Sequence, residues 1–235
     1  MLIELAGVTH HYGDRLVLSE VTATLTEHRI GVIGANGSGK STFARLLNGL
    51  LVPDAGSVTL DGLDTARDAR AIRRRVGFCF TDPDAQIVMP TVAEDVAFGL
   101  RRLKLPRAEQ RERVRAALAR AGLSEHADHP AHLLSGGQKQ LLALTSVLVT
   151  EPDLLVLDEP TTLLDLRNTR RIAAVVETLP QQVVLVSHDL DLLAGFDRVL
   201  VFDEARLVVD AAPDEAITRY RSLMTSGAER PEQVP

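Results

Sequence analysis

One nine-residue segment constrains this 235-residue chain more than any other: Gly34-Ala35-Asn36-Gly37-Ser38-Gly39-Lys40-Ser41-Thr42. It fits G-x-x-x-x-G-K-[ST]. It follows a short apolar run, Ile30-Gly31-Val32-Ile33, and precedes Phe43, Leu46, Leu47 and Leu50, which recur at helical spacing. Strand, glycine loop, helix is the context in which this pattern cradles phosphate. Glycines let the backbone curl so that its N–H groups converge on phosphate oxygens. The start of the helix adds positive potential at the same place. Lys40 would bring a point charge to the β- and γ-phosphates, and the Ser41 hydroxyl would ligate Mg²⁺. The plain alternative, a glycine-rich turn, does not explain Lys-Ser-Thr in register.

The rest of the chain reads as an α/β protein. Leu2-Ile3-Glu4-Leu5 and Val21-Thr22-Ala23-Thr24-Leu25 alternate, as half-buried antiparallel strands do. Gly56–Leu60 runs into an Asp61-Gly62 turn, and Val76–Phe80 reads as a buried strand. From about Pro83 to Leu134 β-branched runs vanish and charge density rises, which predicts a helical insertion. Within it Glu109–Ala121 is a helix with Val114, Ala117, Leu118 and Ala121 on one face and a Glu109–Arg113 pair. Apolar strands return at Leu154–Leu157 and Val183–Val186, with helices at Leu141–Val149 and Leu166–Leu179 around them. Continuous apolar strands alternating with helices point to a parallel sheet covered on both faces. Arg198–Phe202 and Leu207–Val209 suggest a closing hairpin, and the polar tail Thr225–Pro235 a frayed end.

Two further segments carry chemistry. Asp153-Leu154-Leu155-Val156-Leu157-Asp158-Glu159-Pro160 delivers two carboxylates at a strand's C-terminal end, where parallel α/β sheets bind ligands. Asp158 can hold Mg²⁺, and Glu159, pointing elsewhere by strand alternation, can take a proton from an attacking water. Leu134-Ser135-Gly136-Gly137-Gln138, before Leu141, Leu142 and Leu144, reads on its own as a helix cap.

Composition excludes some roles. With 26 Lys+Arg against 32 Asp+Glu the formal charge is −6, which argues against a chain-wide nucleic-acid surface. Six Phe, two Tyr and no Trp leave little for stacking on single-stranded bases. A single cysteine, Cys79, allows no internal disulfide and fits a reducing compartment. No apolar run is long enough to span a bilayer and the first residues do not resemble a signal peptide, so a cytoplasmic location is expected, with membrane contact through a partner.

Together these segments, in this order, resemble the ATP-binding cassette (ABC) ATPases over nearly the whole chain. The resemblance implies a P-loop NTPase (RecA-like) core with an antiparallel β subdomain, about 1–83 and 146–235, and an inserted helical subdomain, about 84–145. It makes Tyr12 the aromatic that stacks on adenine. Gly34, Asn36, Gly37, Ser38, Gly39, Lys40, Ser41 and Thr42 belong to the Walker A loop. Asp158 and Glu159 form Walker B, and Thr161–Asp165 the D-loop. His188 is the switch histidine at the γ-phosphate, and Ser135, Gly136, Gly137 and Gln138 the signature. In the family two cassettes pair head to tail, so the signature of one closes on the ATP of the other. This chain carries one of each and would need a second cassette, a copy of itself or a different chain. The catalytic set implied is Glu159 as base with Lys40 and His188 as charge stabilisers, ATP as substrate and Mg²⁺ as cofactor.

One position departs from the family. Where a Gln that touches Mg²⁺ usually follows the strand, this chain has Thr81, shorter by reach and able to meet the ion through a water. Phe80-Thr81-Asp82-Pro83-Asp84-Ala85-Gln86 followed by Thr91–Gly99 resembles the energy-coupling-factor cassettes of prokaryotic vitamin and metal-ion importers. Among these, Thr81 together with Asp158–Asn168 is most similar to the biotin-transporter ATPases. The resemblance implies a transmembrane energy-coupling subunit, a substrate-binding membrane subunit and a place at the cytoplasmic face of the membrane. Alternatives are an importer ATPase for cobalt, nickel or another vitamin, or a soluble cassette switch acting on ribosomes or DNA. His126, His129 and His132 read as a solvated loop rather than a metal site, Cys79 as a core filler, and Arg73-Arg74-Arg75 as a solvated turn or a contact for an acidic partner.

Overall fold

The computed structural model describes residues 1–162 and 164–227. In chain order the elements are β1 (Ile3–Tyr12), β2 (Arg15–Leu25), β3 (Arg29–Gly34), α1 (Lys40–Leu47), β4 (Ala55–Leu60), β5 (Leu63–Asp64) and α2 (Ala69–Arg75). Then come β6 (Val76–Cys79), α3 (Val92–Leu100), α4 (Arg107–Ala121), α5 (Gly136–Leu148), β7 (Leu154–Asp158) and α6 (Leu166–Thr178). The last are β8 (Gln182–Val186), α7 (Leu190–Leu193), β9 (Arg198–Asp203), β10 (Arg206–Ala211) and α8 (Pro213–Gly227). They gather into two compact units: Met1–Ile72 with the residues from Gln182 onward, and Arg73–Gln181.

The first unit holds two kinds of sheet. β1 pairs antiparallel with β2, Ile3 opposite Leu25, and on its other side with β4, which turns into β5. Alternation does what the sequence expects: Ile3 and Leu5 are buried while Glu4 faces out. The second sheet is parallel, with β3 flanked by β8 and β9, and β10 closing antiparallel on β9. Every residue of β3 and β8 is buried, as a strand covered on both faces requires. Phe43 of α1 meets Phe202 of β9 at 5.1 Å, and both are fully buried. Burial of each such ring contributes about 1.5–3 kcal/mol.

The second unit joins a parallel pair, β6 and β7, to the helices expected of the insertion. Thr91 starts α3 with a reciprocal Thr91–Glu94 capping box. Val114, Ala117 and Leu118 of α4 are buried; its outer arginines are wet, and the Glu109–Arg113 pair forms at 3.0 Å. Arg75, at the end of α2, reaches Asp153 ahead of β7 at 2.6 Å. The 84–145 stretch lies within this unit together with β6 and β7.

Four local expectations change. Arg73–Arg75, expected as a solvated turn or a contact for an acidic partner, form the last turn of helix α2. The helix expected from Leu141 begins earlier, at Gly136, where Ser135 caps it as the helix-cap reading of that segment expects. Thr225–Gly227 continue α8 instead of fraying; residues 228–235 of the tail, and Leu163 of the expected D-loop, lie outside the described residues. The histidine stretch folds into short 3₁₀ turns, Ser124–His126 and Ala131–Leu133, with His126 half-buried.

Candidate nucleotide site

In the first unit, the glycine loop leaves the C-terminal end of β3 and enters α1 through Gly39, whose φ of 104° places it in the left-handed region. A side chain at Gly39 would strike the carbonyl of Val17, and one at Gly34 the carbonyl of Phe202. The loop therefore has its glycines where the backbone is most crowded. No side chain caps α1 and no acid sits in its first turn. The Lys40 ammonium donates to Gly34 O at 2.8 Å and Ala35 O at 2.9 Å, folding back over the loop. Ser38 Oγ is buried and has no hydrogen-bond partner among the described residues. An uncapped helix start, a lysine over the loop and an orphaned hydroxyl together suit an anion with several oxygens.

Tyr12, 47% exposed at the end of β1, lies beside this loop: Thr42 Oγ1 donates to its hydroxyl at 3.5 Å, and His10 meets its ring edge-on at 5.2 Å. His11 holds Asp54 at 3.0 Å, and bonds from the His11 ring and backbone lower the Asp54 carboxyl below its usual range. His188 follows β8. Val186 pairs with Val32, so the exposed His188 leaves the sheet at the same end as the glycine loop. Tyr12, Gly34–Thr42 and His188 are thus brought to one end of one unit.

The second unit gathers Thr81, Asp158, Glu159 and the Ser135–Gln138 turn. Asp158 ends β7 and is 1% exposed. Thr81 Oγ1 donates to the Asp158 carbonyl at 2.7 Å, so the residue in place of the usual Gln braces the carboxylate strand. Glu159 has φ of 51°, a left-handed turn that costs a non-glycine residue about 1 kcal/mol. Its orientation comes from that turn and not from strand alternation, which ends at Asp158. Thr162 Oγ1 donates to Glu159 Oε2 at 2.9 Å. Ser135 and Gln138 form a reciprocal capping box at the start of α5. A side chain at Gly137 would run into Asn168, whereas one at Gly136 would meet nothing within 4 Å.

Some contributors carry no pattern in the sequence. Gln86 accepts from Phe80 N–H and donates to Ala143 O, and Lys139 pairs with Asp84 at 2.7 Å, tying the segment after β6 to α5. Asn168 is recognisable only from its packing on Gly137. Mg²⁺ prefers few protein oxygens and many from phosphate and water. Ser41 in the first unit and Asp158 in the second each carry an oxygen of the type such an ion accepts. Among the described residues no cluster of three or more His, Cys, Asp or Glu could hold a metal.

A phosphate loop at the end of a parallel strand, with a buried strand-end aspartate followed by a glutamate, defines a nucleotide-binding P-loop ATPase. The sequence profile of the ABC transporter family matches residues 18–162. An ABC transporter ATP-binding protein of Deinococcus radiodurans is 59% identical over 95% of this chain and 99% of its own length. The biotin transport ATP-binding protein BioM of Rhizobium etli is 50% identical, covering 94% of this chain and 97% of that one. The energy-coupling factor ATP-binding protein EcfA1 of Symbiobacterium thermophilum is 47% identical, covering 92% and 82%. The solved structure of CbiO1 from Clostridium perfringens, part of the transporter complex CbiONQ, superposes with a TM-score of 0.82 at 31% identity, covering 97% and 95%. The chain belongs to the ABC transporter family and is an ATP-binding ATPase of the energy-coupling-factor type.

Proposed function

We propose that this chain is the ATP-hydrolysing subunit of an energy-coupling-factor importer whose cargo is biotin. It acts at the cytoplasmic face of the membrane, paired with a second cassette and docked on a transmembrane energy-coupling subunit beside a cargo-binding membrane subunit. What carries the reading is a full set of nucleotide-handling groups on one chain, with half-identity to a biotin transport ATPase along nearly all of both chains. Among the described residues no helix is long and apolar enough to cross a membrane.

The chemistry is in-line attack of water on the γ-phosphorus. The new oxygen–phosphorus bond forms as the bond to the β-phosphate oxygen breaks, and the water proton passes to the Glu159 carboxylate. Lys40 and the loop N–H groups hold the β- and γ-phosphates, Tyr12 carries the adenine, and His188 faces the γ-phosphate. Ser135 and the N–H groups of Gly136 and Gly137 complete the site on the neighbouring cassette's nucleotide. Ser41 and Asp158, with Thr81 through a water, would hold Mg²⁺, which would supply neutralising charge to the phosphates.

The test is purification of the tagged full-length chain from its own cells in mild detergent, with subunit identification and labelled cargo. Co-purifying membrane subunits that retain labelled biotin are the expected result. Retention of cobalt, nickel or another vitamin instead would reassign the cargo. Absence of membrane subunits, with turnover stimulated by nucleic acid or ribosomes, would overturn the importer reading.

A further inference from the structure

The histidine stretch before the signature has no place in the chemistry above, yet one of its rings touches the signature directly. Gln138 Oε1 accepts the Ser135 backbone N–H at 2.9 Å. That bond decides which end of the Gln138 amide is oxygen. Its NH₂ group then lies 3.0 Å from His126 Nε2 and has only hydrogens to offer. His126 Nε2 must therefore carry a lone pair, which puts the ring proton on Nδ1. Nδ1 is buried and has no acceptor among the described residues.

We propose that His126 is a positioning residue for the signature, holding the Ser135–Gln138 box shut only while its imidazole is neutral and protonated on Nδ1. The proposal rests on the reading that this turn engages the neighbouring cassette's ATP. An imidazolium would set an N–H against the Gln138 NH₂. The amide must then turn over or withdraw, and Ser135 N–H loses its acceptor. The return bond, Gln138 N–H to Ser135 Oγ, is long at 3.4 Å and holds the turn poorly alone. Acid would thus loosen the serine hydroxyl without touching the chain's own phosphate loop.

The ionisable groups on the surrounding elements are few. On the histidine's own turn they are Glu125, Asp128 and His129, whose ring meets that of His126 edge-on at 5.1 Å. From α3 comes Glu94 and from α4 Arg111 and Arg115, which line one hollow with Ser124 and Ala127. Lys139, next to Gln138, is engaged with Asp84. Among the described residues Gln138 makes the one hydrogen bond to the His126 ring.

Two measurements test this. The first is the imidazole ¹⁵N spectrum of the full chain at neutral pH: an Nδ1–H tautomer for His126 is expected, and an Nε2–H tautomer overturns the proposal. The second is ATP-dependent pairing of the full chain carrying Glu159→Gln, followed by sedimentation as the solution is made progressively more acidic. Adding His126→Gln, whose side-chain oxygen can stand where Nε2 does but does not titrate, should flatten the acid loss of pairing. Adding His126→Leu should weaken pairing about tenfold at every pH, the scale of one lost hydrogen bond with its stranded partner. ATP binding by the unpaired chain should stay unchanged in both. Normal pairing in His126→Leu, or an unaltered pH profile in His126→Gln, would overturn the proposal. If Ser135→Ala also pairs normally, or Glu159→Gln never pairs, the failure lies with the signature reading instead.

Discussion

At the scale of single residues, two adjacent glycines separate what the fold demands from what a neighbour demands. Gly137 is pressed by Asn168, so Gly137→Ala must displace that side chain. Gly136 has open space, and nothing in the chain itself needs it small. Gly136→Ala should therefore leave the melting temperature level or raise it, since alanine favours the helix by up to about 1 kcal/mol. If the signature closes on another cassette's nucleotide, the same variant should still lose ATPase activity. Thermal melting and turnover on one sample check this. Cys79 is the opposite case: fully enclosed, its thiol pushed up to about 12 by burial. It should resist a thiol reagent at neutral pH in the folded chain and react at once in denaturant, as its reactivity needs the thiolate.

At the scale of elements, the β9–β10 hairpin is held to the rest of its unit by Arg198. It grips Asp210 through two bonds at 2.5 and 2.6 Å, reaches Glu27 at 3.0 Å and donates to Thr24 O at 2.8 Å. The bonds from Asp210 raise the Arg198 guanidinium further above its usual range. Burial pushes Glu27 up, but bonds from its own and the Thr26 backbone and from Arg198 outweigh it, and the net shift is downward. A carboxylate lowered on folding stabilises above its ordinary range and loses that contribution as pH falls through the lowered value. Arg198→Met should cost about 1–3 kcal/mol at neutral pH, discounted for partial exposure. The gap to the unsubstituted chain should shrink below about pH 4. Denaturant unfolding at two pH values measures both. Helix starts were harder to foresee than such strands: α5 begins five residues before its apolar run because Ser135 and Gln138 cap each other.

At the scale of the whole molecule, the residues to which the proposed mechanism gives roles fall in two compact units, Lys40 and His188 in one and Asp158 and Glu159 in the other. Substitutions in each should fail differently. Lys40→Ala removes the ammonium from the loop and should weaken ATP binding about tenfold or more, the loss of a charged hydrogen-bonding group. Glu159→Gln should bind ATP normally, turn over slowly and accumulate as a pair. Fluorescent-nucleotide titration and sedimentation distinguish them, and normal turnover in Glu159→Gln would remove it from the role of base.

Much of this was legible in order along the chain. Glycines at 34, 37 and 39, a lysine, and apolar runs ending in carboxylates are local demands: backbone curvature, a charge and a buried strand each need particular residue types at fixed spacing, and spacing survives in one dimension. The hydrogen-bond partner of Thr81 was decided only by the fold, which sets its hydroxyl on the Asp158 carbonyl 77 residues away. So was the partner of His126, which spacing alone assigned to solvent. A hydrogen bond between distant residues depends on how elements pack, and packing leaves no period in the sequence to read.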